Sequence, residues 1–212
     1  MEDILYLYDR QSDRYYPLIC FDERPCQLIA DVLVPIPMEE GKIKREDYHY
    51  QRNGVCNVFI AFNPNTGHRL VEVYERRTRQ EYADFFQKIA QHYSDAAKII
   101  VVQDNLNTHS PASFYQCFPP DQALALAQRF EMHYTPVNAS WLNMAEIELS
   151  ALSKQCLDRR IGDVDILTTE VKAWTAERNQ KGITVNWQFT NDKAREKFYR
   201  FYPKIPKISE LI

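Results

Sequence analysis

Lys98–Ser110, KIIVVQDNLNTHS, decides how this chain is read. Ile99 to Val102 is an unbroken apolar run of strand length, the pattern of a strand covered on both faces. It opens directly into Asp104, Asn105, Asn107 and His109. Open α/β sheets place their chemistry beyond the carboxyl ends of such central strands. Asp104 therefore stands where a functional acid belongs, although the same residues also suit a plain turn.

Toward the N-terminus, PLICFDERP (17–25) reads as a short buried strand bounded by prolines and ending in Asp22 and Glu23. Taken alone, both acids suit a solvated strand end. Apolar residues continue from Cys26 to Leu33, and Pro35, Pro37 and Gly41 mark a loop that also holds Lys42, Lys44 and Arg45. Asp47–Phe62 is rich in β-formers, Asn63–Gly67 is a turn, and His68–Tyr74 alternates apolar with polar, which together predict an antiparallel hairpin. Thr78 and Glu81 form a capping-box pattern ahead of a helix whose Tyr82, Phe85, Phe86 and Ile89 make a core stripe. The opening MEDILYLY has a weak helical spacing.

Toward the C-terminus, residues 111–130 read as helix interrupted at Pro119-Pro120, and Glu131–Pro136 as a fifth strand. Leu142, Ala145, Leu149, Leu152 and Cys156 then step by three and four, an amphipathic helix. Glu146 and Glu148 lie about 200° apart around that helix and cannot share one job. Spacing leaves the choice between them open, and both also suit solvent-facing acids near a helix N-terminus. A further helix is expected from Asp163 to Gln180, and Thr190 is a candidate N-cap for a final basic, aromatic segment. That segment suits phosphate contact or docking through its aromatics.

The bulk properties narrow the class. A chain of 212 residues, 45% hydrophobic, suits one domain with a sizeable core. It has no apolar run long enough to span a membrane and no signal-peptide pattern. Five scattered cysteines without a C-x-x-C pair read as reduced thiols of a cytosolic protein. Five isolated glycines exclude a dinucleotide fingerprint or P-loop. A net charge of −3 means that any nucleic-acid surface is local. An acid after the first strand, one after the fourth and one on a later helix can meet at one sheet edge. Such a carboxylate set suits hard Mg2+ or Mn2+ ions. Two of them about 3.5–4 Å apart clamp the attacking and leaving oxygens of a phosphodiester.

FDERP at 21–25, DYHYQRNG at 47–54, DNLNTH at 104–109 and YTPVNASWLNMAEIELSALSKQCLDRR at 134–160 resemble the DDE transposases of bacterial insertion sequences, in the superfamily that includes mariner. The family's Leu-Asn-x-x-Glu pattern falls on Leu142, Asn143 and Glu146, which favours Glu146 over Glu148. The resemblance implies an α/β, RNase H-like fold, a five-stranded mixed sheet flanked by helices, filling residues 1–212 as one domain. It implies Asp22, Asp104 and Glu146 as catalytic residues and ligands of two Mg2+ or Mn2+ ions, with Asn105, His109 and Asn143 beside them or on DNA. The implied partner is double-stranded DNA, both transposon ends and target, met by a possible homodimer in the bacterial cytoplasm and nucleoid. Residues 1–20 hold no helix-turn-helix unit, so the expectation is a catalytic domain without its end-recognition part. Another RNase H-like nuclease, an inactive remnant serving as a DNA-binding or interaction module, and a generic α/β binding protein are the rival readings.

Overall fold

In the computed structural model the described residues are 1–36, 38–42 and 47–202. Pro37, Lys44 and Arg45 of the proline-containing loop, and the end of the final basic segment from residue 203 on, lie outside them. The strands are β1 (Leu18–Asp31), β2 (Tyr50–Phe62), β3 (Arg69–Tyr74), β4 (Ile99–Gln103) and β5 (Phe130–Tyr134). The helices are α1 (Glu2–Asp9), α2 (Arg79–His92), α3 (Ala112–Cys117), α4 (Pro120–Gln128), α5 (Ala145–Gln155), α6 (Val164–Gln180) and α7 (Asn191–Lys197). The sheet order is β3-β2-β1-β4-β5. β1, β2 and β3 form antiparallel pairs, whereas β4 is parallel to both β1 and β5. This is the five-stranded mixed sheet expected from the sequence.

Period-two alternation sends the sheet's side chains into two apolar layers. Leu18, Cys20, Val58, Ile60 and Val102 pack with α1, α5 and α6 on one face. Ile19, Phe21, Phe59, Ala61 and Val101 pack with α2, α3 and α4 on the other. All five residues of β4 are buried, the apolar run Ile99–Val102 together with Gln103, whose side chain is hydrogen-bonded to Tyr82 and the His109 carbonyl. The capping box is present: Thr78 accepts at the start of α2, and Glu81 accepts from the Thr78 N–H at 2.8 Å. No helix among the described residues is long and apolar enough to cross a membrane.

Three expectations need correction. Pro25 does not close the first strand: β1 runs to Asp31, so Asp22 lies within it. Residues 111–130 divide into two helices at Pro119-Pro120 as expected, but Phe130 already belongs to β5, which the sequence reading began at Glu131. Glu148 is not solvent-facing; only 1% of it is exposed. It joins Arg69 of β3, itself fully buried, and its Oε1 lies 2.9 Å from Arg178 Nη2 of α6. Asn179 brackets the Arg69 backbone, accepting from its N–H at 2.8 Å and donating to its carbonyl at 2.9 Å. α6 thereby closes the free edge of β3 at this residue.

Candidate active site

Cys20 of β1 stands opposite Val102 of β4 in the parallel register. Two residues further along each chain come Asp22 and Asp104, each just beyond the last parallel pair, where the strands part. β4 ends at Gln103 while β1 continues, and this frees backbone groups on that edge of β1. The Ile100 N–H donates to the Pro17 carbonyl, so by alternation the odd residues through Pro25 turn their backbone toward the β4 side. Side chains take over there. Asn143 Nδ2 donates to the Phe21 carbonyl at 2.7 Å, and Asp22 Oδ1 accepts from the Glu23 N–H at 2.8 Å. Pro25, facing the same open edge, has no N–H to satisfy, which is why the strand survives it.

Asn143 is buried and bifunctional: its Oδ1 also accepts from the Ala145 N–H at 3.2 Å, in the first turn of α5. It ties α5 to β1 beside Asp22, and its side chain is turned away from solvent. Tyr8 of α1 adds a second tie, donating to the Leu142 carbonyl at 2.6 Å. Glu146 follows on the exposed side of α5. Glu148, on the opposite side, is consumed by the two arginines. Of the two glutamates only Glu146 faces the groove beside Asp22.

Burial pushes the Asp22 carboxyl up to about 7; the Glu23 N–H pulls the other way, and the charges of Glu23, Glu146 and Asp104 add to the rise. The three predicted acids thus share one electrostatic neighbourhood. His109 contacts Asp104 Oδ1 through Nδ1, while its Nε2 lies 3.0 Å from Glu23 Oε2, an ion-pair distance without well-aligned hydrogen-bond geometry. Burial opposes a charged ring, but Asp104 and Glu23 overcome it and lift His109 to about 9. The ring is therefore an imidazolium at neutral pH. It is buried, whereas Asn105 is exposed. Glu23, which reads from the sequence as a solvated strand end, is instead buried beside His109. Strand alternation was the available signal, because it turns Glu23 to the face opposite Asp22, away from solvent.

A groove of about 460 Å3 opens beside the acids, its lining including Asp22, Glu23, Arg24, Glu146, Ser150, Ser153 and Lys154. Neither Arg24 nor Lys154 has a carboxylate partner among the described residues. Glu146, Ser150, Ser153 and Lys154 fall within an arc of about 100° on α5. No group of three or more His, Cys, Asp or Glu among the described residues is arranged to enclose a metal ion. The donors nevertheless fit a hard divalent cation. Asp22 and Asp104 each have Oδ1 engaged internally, no hydrogen bond among the described residues takes either Oδ2, and like charge crowds Asp22. Mg2+ characteristically binds one or two carboxylates and completes its shell with water and substrate phosphate, so a closed protein cage is not required.

Comparison with solved structures supports the architecture. A Mos1 mariner paired-end complex with Mn is 15% identical, with a TM-score of 0.57 over 85% of this chain and 55% of that one. A Mos1 strand transfer complex is 14% identical, with a TM-score of 0.57 over 85% and 54%. The chain thus spans little more than half the length of these proteins. At such identity the likeness is one of fold, the RNase H-like α/β architecture. No curated protein sequence matches the chain. The family described as DDE superfamily endonuclease matches residues 17–168, most of the sequence. The chain belongs to the DDE superfamily of endonucleases.

Proposed function

We propose that this chain is the catalytic domain of a mariner-type transposase, cutting phosphodiester bonds at transposon ends and joining the 3′-hydroxyl to target DNA. What supports the reading is that Asp22 and Asp104 each follow the last parallel pair of β1 and β4 by two residues, and that the charges of Asp104 and Glu146 both act on Asp22. In this reading Asp22, Asp104 and Glu146 hold Mg2+ or Mn2+, two ions being expected. Such ions, when bound, polarise the scissile phosphate and stabilise developing negative charge. Asp22 and Asp104 offer their Oδ2 atoms, Asn143 holds α5 against β1, and Arg24 and Lys154 contact backbone phosphates along the groove. The partner is double-stranded DNA, and the reading extends to a homodimer on paired ends in a bacterial cytoplasm.

Titration calorimetry with Mn2+ at low salt, with and without a nicked duplex, tests this on the wild type and on Asp104→Asn. Saturable binding that the substitution abolishes, together with metal-dependent strand cleavage, is the expected result. Binding that Asp104→Asn leaves unchanged would remove the assignment of the acids.

A further inference from the structure

The two neighbouring acids of β1 both border the groove, but the Glu23 side chain is buried against His109. We infer that Glu23 is a positioning residue: through His109 it holds Asp104 so that one carboxylate oxygen, Oδ2, is presented to a divalent cation. The inference rests on reading Asp104 as a cation ligand.

Glu23 is a carboxylate with a side chain only 3% exposed, and its Oε2 has no well-formed hydrogen bond. A buried, imperfectly satisfied charge is costly and calls for a reason. Its close charged neighbours are His109 Nε2 at 3.0 Å and, on the other oxygen, the half-exposed Arg77 at 4.0 Å. His109 cannot swing away from this bridge. Its ring stacks on Tyr82 with centroids 5.2 Å apart and meets the edge of Phe21 at 5.2 Å. Its carbonyl accepts from Gln103 Nε2 at 3.0 Å, and Gln103 Oε1 accepts from the Tyr82 hydroxyl at 3.0 Å. The other ring nitrogen contacts Asp104 Oδ1, which also accepts from the Leu106 N–H at 3.4 Å. Asp104 lies just past the end of β4 in a turn, where its own backbone would leave the carboxylate free to rotate. The chain Glu23–His109–Asp104 removes that freedom by occupying Oδ1. This is how outer partners orient the groups that bind a metal.

The test is a double-mutant cycle in Mn2+ affinity, run by calorimetry with the nicked duplex present, on wild type, Asp104→Asn, Glu23→Gln, His109→Gln and the Glu23→Gln/His109→Gln pair. Glu23→Gln should weaken Mn2+ binding by about 10–100-fold; because it also breaks the buried pair with His109 it lowers the melting temperature, so each titration is run well below the variant's own transition. Added to His109→Gln it should cause no further loss, since its effect passes through the ring. A wild-type Kd in Glu23→Gln would overturn the inference, as would losses that multiply in the double variant. Glu23→Met, of similar volume, serves if the Gln variant does not fold. If the wild type binds no Mn2+, or Asp104→Asn binds it normally, the cation-ligand reading fails and this inference falls with it. If Asp104→Asn abolishes binding and Glu23→Gln does not alter it, only the positioning role is lost.

Discussion

Glu146 and Glu148 differ by two positions on one helix, and the structure assigns them opposite consequences when neutralised. Glu148→Gln removes the charge facing the fully buried Arg69 and the largely buried Arg178. Arg69 keeps hydrogen bonds to the Ile183 carbonyl at 2.7 Å and to the Gly67 carbonyl, but these neutral acceptors do not balance its charge. Breaking a buried ion pair by removing one partner costs about 3–5 kcal/mol. For a domain of this size each kcal/mol moves the melting temperature by about 2–4 °C, so the expected fall is roughly 6–20 °C. Glu146 is exposed and has no ionic partner among the described residues, so Glu146→Gln should melt within about 2 °C of wild type, as surface substitutions do. Its effect should appear as lost Mn2+ binding and lost cleavage. Thermal unfolding followed by circular dichroism, paired with a Mn2+ titration below the transition, separates the two. A Glu148→Gln variant that melts with wild type, or a Glu146→Gln variant that loses as much stability as Glu148→Gln, would refute the division of roles.

Two further outcomes follow from the site's charges. Folded Asp22 keeps its proton up to about 7, whereas an unfolded aspartate releases it near pH 4. The folded state then binds more protons between pH 4 and 7, so this group makes metal-free stability fall as pH rises through that window. His109, lifted to about 9, contributes stability that is complete below pH 6.5 and lost as pH rises through 9. Without metal, the melting-temperature difference between wild type and Asp22→Asn should therefore grow from pH 4 to 7; a constant difference would contradict the raised Asp22 value. In the groove, Arg24 and Lys154 would each neutralise a phosphate of bound duplex DNA. Replacing them by Ala should make the slope of log affinity against log salt shallower by about 0.9 for each phosphate no longer neutralised. Fluorescence anisotropy across a salt series reads this directly, and an unchanged slope would exclude both side chains from phosphate binding.

Local patterning determined most of the elements. The run at Ile99–Val102 could bury itself only as a central strand. The Thr78–Glu81 pair marked a helix start through its own hydrogen bonds, and the three-and-four spacing from Leu142 marked the inward stripe of α5. These signals rest on backbone geometry and neighbouring residues, so they need nothing distant. Asp104 was legible for the same reason, as the polar residue that ends a buried strand. Tertiary structure decided the rest. Whether Pro25 stops β1 depends on where β4 ends, because a missing N–H matters only if a partner strand is there to receive it. Helix periodicity put Glu146 and Glu148 on opposite sides without saying which side meets charge. That was settled by Arg69, 79 residues away, and Arg178, 30 residues away. Glu23 looked like a solvated strand end until the fold set His109 against it, since burial and ion pairing belong to pairs of segments rather than to either one alone.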